Sequence, residues 1–245
     1  MKTGLVVELK TGKKEPGANT KIHKKNMAQM AVQLEILRET EGMETPGLER
    51  VDYTKKDGKS SHGYRLDGKP VPGVTSVLRI LDTFKIDEMY LHRGTWGHEI
   101  CAMMDEKPSR VTQCWIDSLP GDALVYGGCV KDGELWRNWF SAYAQFKIDF
   151  KLENVEIKNE LPFASRKMRV AATLDKVIED NSPLRGNLLY ITNTGYKRYE
   201  LIPSDRPTSK YQALLNVFRS ARFVYDFRGE LRREHKELEE NNEYE

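Results

Sequence analysis

The run Gly4-Leu-Val-Val-Glu-Leu-Lys-Thr-Gly12 constrains this chain more than any other stretch. Leu5, Val6 and Val7 form an apolar, largely β-branched segment closed by Gly12, the pattern of a strand buried on both faces. Glu8 and Lys10 stand two apart on it, and strand side chains alternate with period two. The carboxylate and the ammonium therefore project side by side from one face at the strand's end. A carboxylate can hold a divalent cation while a neighbouring lysine orients a water, a pairing suited to phosphodiester hydrolysis. The plainer reading of the triplet alone is a surface ion pair, worth well under about 1 kcal/mol.

A chain of 245 residues can bury one substantial core, so a single α/β domain with peripheral additions is expected. Charged residues make up 31% and hydrophobic ones 39%. No apolar run reaches the length of a membrane span and no signal-peptide pattern is present, which predicts a soluble, cytoplasmic protein. Cys101, Cys114 and Cys129 are odd in number and lack CxxC spacing, arguing against a disulfide framework, a zinc site or a four-cysteine iron–sulfur cluster. The net charge of +2 conceals an uneven distribution: residues 9–25 hold six lysines against one glutamate, and the tail from Gly229 holds seven glutamates. The basic stretch suits either phosphate tracking or a plain solvated loop.

Taken in order, the pattern predicts a basic loop over 13–25 and a helix over 26–41, ended by Gly42. Met27, Met30, Ala31, Leu34 and Leu37 form the helix's apolar stripe, and Gln29 and Gln33 lie one turn apart. Residues 43–70 are rich in Gly, Lys, Ser and Asp and read as a linker with a weak hairpin at 64–70. A helix follows, capped by Thr75 or Ser76, and then a second helical run with Arg93-Gly-Thr-Trp-Gly-His-Glu99. Residues 105–130 read as irregular. A dense aromatic stripe over 134–150 predicts a core helix. Strands are expected over 153–163 and 169–179, the latter with Val170, Ala172 and Leu174 on one side and Thr173, Asp175 and Val177 on the other. A turn over 181–186, a hairpin about Asn193-Thr-Gly195 and an amphipathic helix over 209–227 complete the pattern, with a frayed acidic end.

Asp175 sits within an otherwise apolar strand, where a buried carboxylate is costly unless a cation or donor compensates it. A place at a strand end, facing solvent, is the alternative. His98 taken alone reads more simply as a core or surface histidine than as a ligand.

Together these residues resemble the RecB-like branch of the PD-(D/E)XK nucleases. Gly94-Thr-Trp-Gly-His98 looks like its GxxxH signature, Ala172-Thr-Leu-Asp175 like its aspartate strand and Glu8-Leu-Lys10-Thr-Gly12 like its (D/E)xK-T-G strand. Asn26-Met-Ala-Gln29 resembles the glutamine helix. Pro72-Gly-Val-Thr-Ser-Val-Leu78 is similar to the "PSVT" helix of the subgroup that includes mitochondrial genome-maintenance exonuclease and many phage proteins. The resemblance implies a mixed central sheet flanked by helices and a metal-dependent DNA nuclease, with exonuclease activity expected. It implies Mg²⁺ or Mn²⁺ held by Asp175, Glu8, the carbonyl of Leu9 and His98, with Lys10 orienting the attacking water. Gln29 would position Lys10 or the scissile strand. Glu160 matches a commonly acidic family position, for which a surface strand carboxylate is the simpler account. DNA is the implied partner and a membrane is not. Lys13, Lys14, Lys24, Lys25, Arg166 and Lys167 are candidates for contacts to its backbone on charge alone.

Two departures stand out. In the family the (D/E)xK strand and glutamine helix follow the aspartate strand, whereas here they open the chain. If 188–195 were taken as the missing strand, Ile191 and Asn193 would replace the acid and the lysine, giving a catalytically silent fold that binds DNA or blocks a partner protein. Under the transposed alignment, 186–202 is instead the hairpin beyond the (D/E)xK strand. The gap to be crossed is two strand spacings, about 10 Å, and residues 181–185 can span roughly 17 Å. The opening strand then completes the site within one chain or by exchange in a homodimer. The second departure is Gln33, which stands where the family commonly has tyrosine, leaving it without an assigned role.

Overall fold

The computed structural model describes residues 3–12, 14–40, 45–54, 60–82, 88–106, 133–203 and 209–242. In chain order its elements are β1 (Thr3–Thr11), α1 (Lys21–Glu39), β2 (Leu48–Thr54), β3 (Ser60–Leu66), β4 (Lys69–Val71) and α2 (Val74–Leu78). There follow α3 (Glu88–Asp105), α4 (Gly133–Asp149), β5 (Ile157–Ser165), β6 (Val170–Pro183), β7 (Arg185–Thr192), β8 (Gly195–Leu201) and α5 (Lys210–Asn242). The central sheet is mixed and runs β5-β6-β1-β7-β8. β1 lies in its middle, antiparallel to β6 and parallel to β7, both of its own chain.

The period-two alternation of β1 separates two cores. Val6 joins Met27, Met30 and Leu34 of α1, Val74 and Val77 of α2 and Leu214 and Phe218 of α5. Leu5, Val7 and Leu9 face Cys101 and Met104 of α3 and Trp136, Trp139, Phe140 and Phe146 of α4. Each such side chain removed from water contributes about 1.5–3 kcal/mol, so a strand apolar on both faces is held by both layers. α1 is buried beyond a simple stripe because α5 covers its outer side, where Tyr211 donates its hydroxyl to the Ala31 carbonyl (3.0 Å) and to Glu35 (2.6 Å). Gly186 on β7 permits the close approach of α1: a Cβ there would lie 2.3 Å from Met30 Sδ and 3.1 Å from Leu34 Cδ1.

Several expected boundaries differ. α1 begins at Lys21 because Thr20 caps it, its hydroxyl accepting from the His23 amide (3.2 Å), so the loop is shorter than its charge suggested. Residues 43–70 are not a linker throughout: β2, β3 and β4 form an antiparallel sheet, the hairpin expected at 64–70 being its β3–β4 part, and its apolar Tyr64, Leu66 and Val71 rest on Ala164 and Ala171. The helix beginning at Val74 has Gly73 at its N-cap and no side-chain cap from Thr75 or Ser76. β6 continues to Pro183 and only Leu184 separates it from β7, so the chain passes the start of β1 with no extended turn. Alternation along β6 breaks at Asp175, since Val177 joins the same core as Val170, Ala172 and Leu174 while Lys176 turns toward α3. α5 extends to Asn242 because its last turns are rich in Glu, Leu, Arg and Lys, all strong helix formers. Gly42, most of 105–130 and Lys13 lie outside the described residues.

A buried charge network ties α3 to the sheet. Asp105, 1% exposed at its side chain, accepts from Lys176 on β6 (2.5 Å) and pairs with Lys147 on α4 (3.1 Å). Tyr143 also donates to it (2.7 Å), and Lys176 donates to Asn159 (2.7 Å). Removing the acid would strand two buried ammonium groups. Asp105→Ala is expected to cost about 3–5 kcal/mol of unfolding free energy, measurable by urea denaturation.

Candidate active site

At the C-terminal end of β1 the ladder to β6 stops after Val7 and Lys176, and a side chain takes over the pairing. The Leu9 amide donates to Asp175 Oδ2 at 2.7 Å, joining residues 166 positions apart. The resulting opening is a pocket of about 1020 Å³, lined by Glu8 and Lys10 from β1, Gln29 and Gln33 from α1, His98 and Glu99 from α3, Glu160 from β5 and Asp175 from β6.

Glu8 is 1% exposed and both its oxygens are engaged. Lys10 Nζ and Gln29 Nε2 each donate to Oε1 at 2.5 Å, and Gln33 Nε2 donates to Oε2 at 2.7 Å. Gln29 and Gln33 are one turn apart on α1, so one helical face grips the whole carboxylate. Gln33, left without a role by the sequence, thus shares that of Gln29; its glutamine spacing was the available signal. Gln29 meets Glu8 and not Lys10.

His98 reaches the pocket from the opposite layer. Gly97, the residue before it, packs at the end of β1, where a Cβ would meet Thr11 (3.4 Å) and Trp139 (3.5 Å) in ordinary van der Waals contact. The imidazole then lies 3.7 Å from Asp175 Oδ2. Ligand atoms of His98, Glu160 and Asp175 all lie within 4.8 Å of one another. Glu160 is an exposed carboxylate of β5, as the simpler account expects, and its ligand atom nevertheless belongs to this cluster; its backbone is held at φ 52°, a left-handed conformation unusual for a non-glycine residue.

Crowded acids govern the electrostatics. Burial first, and Asp175 second, push the Glu8 carboxyl up to about 7, against the pull of Lys10. Desolvation in the cleft, then Asp175 and Glu8, raise Glu160 to about 7 as well. Burial pulls the Lys10 ammonium down, but Glu8 and Asp175 outweigh it and hold the group above its ordinary range. Burial lowers His98, opposed by Asp175, which keeps a neutral imidazole available as a ligand. Two carboxylates and an imidazole, with Glu8 in the same pocket, are a donor set that could hold a divalent cation.

Of the charged residues proposed for backbone contacts, Lys14, Lys24, Lys25, Arg166 and Lys167 do not line the pocket. Lys25 pairs with Asp82, and Arg166 is spent on Asp67 (2.9 Å) and the Pro46 carbonyl (2.7 Å). Lys14, Lys24 and Lys167 are exposed. No described helix is long and apolar enough to cross a membrane. Compared with protein-family models, curated proteins and solved structures, the chain has no significant match.

Because Glu8 and Glu160 bind protons more tightly folded than unfolded, native stability falls as pH rises from the ordinary carboxyl range, about 4.5, through about 7, and levels off above it. Melting curves in EDTA should therefore show a falling Tm between these limits, with Glu8→Gln flattening the decline. Added Mn²⁺ should raise Tm most at the upper end, where the acids are ionised.

Proposed function

We propose that the chain is a metal-dependent deoxyribonuclease with a RecB-like PD-(D/E)XK core in transposed chain order. The observation that carries this reading is the convergence of Glu8, Lys10, Asp175 and His98 on one pocket from β1, β6 and α3. The strand pattern supports it too: an aspartate strand antiparallel to the Glu8–Lys10 strand, the next strand parallel to it, and a glutamine-bearing helix over their junction. Ile191 and Asn193, the basis for a silent fold, lie away from the pocket: Ile191 is core, packed toward α4, and Asn193 occupies the β7–β8 turn.

Asp175, Glu160 and His98 would hold Mg²⁺ or Mn²⁺, with Glu8 and the Leu9 carbonyl beside them. Such an ion, when bound, supplies Lewis-acid neutralisation of phosphate charge. In the reaction a water oxygen bonds to phosphorus and gives up a proton to solvent, one ester P–O bond breaks and the departing oxygen takes a proton from solvent. Lys10 is a donor and not a base, since its neighbours keep it protonated; it orients the water and offsets charge developing on the phosphate. Gln29 and Gln33 hold Glu8, and through it Lys10, in place.

Cleavage of labelled linear and circular DNA in Mg²⁺ and in Mn²⁺ tests the reading. Glu8→Ala, Lys10→Ala and Asp175→Ala should each lower the rate by about 100-fold or more, while Asn193→Ala cuts normally. A native chain that binds DNA yet cuts no substrate in either metal would refute it in favour of the silent fold.

A further inference from the structure

The pocket has a second wall that this chemistry leaves unused. β2 and β3 pair in a register that sets Arg50 opposite Tyr64 and Asp52 opposite His62, so these four share one face, and all four line the pocket. The face is fixed to the core. Tyr64 and Thr173 on β6 are hydrogen-bonded through their hydroxyls at 2.7 Å, and Tyr64, Leu66 and Val71 continue the same face into an apolar cluster with Ala164 and Ala171. Thr45, just before β2, exchanges hydrogen bonds with the Ala164 backbone, its Oγ1 accepting from the amide at 3.0 Å. A hairpin secured in this way holds its side chains at a set place relative to Asp175, as a free ribbon would not.

Arg50 is the cation of this wall. Among the residues lining the pocket it and Lys10 are the lysine and arginine present, and Lys10 is bonded to Glu8. Arg50 meets Asp52 only at 3.4 Å, in an exposed contact. His62 does not compete, because burial and Arg50 lower its pKa and keep it neutral. Arg50 lines the same pocket as Glu160 and Asp175.

Resting on the nuclease reading, we propose that Arg50 binds a backbone phosphate of the nucleic acid strand next to the scissile one, making β2 and β3 the substrate-binding wall of the pocket. Its planar fork suits two phosphate oxygens at once, and Asp52 holds the guanidinium ready until a phosphate takes its place.

The test is binding of fluorescent DNA oligonucleotides, single-stranded and duplex, by anisotropy with divalent cations chelated, over a series of salt concentrations. Arg65, exposed on the other face of β3, is the control because its removal changes net charge equally. Arg50→Ala should weaken binding by about tenfold or more and lower the salt slope by about one phosphate's share. Arg65→Ala should leave both nearly unchanged, and Arg50→Lys should restore the slope better than the affinity. Binding by the native chain with equal losses for the two alanine variants, or with none for Arg50→Ala, overturns the role of Arg50 and leaves the nuclease reading standing. No binding of either DNA form by the native chain overturns both.

Discussion

Glu8 places a carboxylate on the central strand of a sheet covered on both faces, where an unanswered charge costs several kcal/mol. Lys10 answers it from the same strand and Gln29 and Gln33 from α1. Those amides can reach only if α1 lies across the end of β1 in one rotation, and that rotation also sends Met27, Met30 and Leu34 into the sheet. The missing side chain at Gly186 leaves room for it. A polar requirement and an apolar one thus select the same docking of the helix.

The opposite layer is set by different means. α3 packs against the end of β1 at Gly97, and Asp105 locks the far end of that helix to Lys147 on α4 and Lys176 on β6. Lys176 is the neighbour of Asp175, so the break in alternation that turns one residue toward α3 turns the other toward Leu9. The two layers converge where β1 and β6 part. There, backbone pairing gives way to side chains that can serve chemistry.

Chain order and spatial order part company in this fold. The first strand is central, flanked by strands formed more than 150 residues later, and Leu184 alone joins β6 to β7 across it. That short crossing satisfies the reach expected for the segment. The return from α1 to α2 is no slack tether, because part of it folds into β2-β3-β4 and becomes a wall of the pocket.

Much of this was legible in local pattern. β1 as a doubly buried strand, Glu8 beside Lys10, the aromatic face of α4 and the β7–β8 hairpin all follow from side-chain period and turn chemistry, which neighbouring residues settle among themselves. Asp175 and His98 were legible as candidate ligands only when read with the other motifs. The β3–β4 hairpin was legible at 64–70, but the grip of Gln33 on Glu8, the places of Glu160 and Arg50 in the pocket, the Asp105 network and the pairing of β2 with β3 were not, since Gly, Ser and Lys in 48–71 weaken any strand signal until Ala164 and Ala171 supply a surface to cover. Local periodicity determined which residues lie on which face of which element. Only tertiary packing decided which faces meet, because the energies that choose the meeting, burial of Glu8 and Asp105 among them, exist only once distant segments exclude water together.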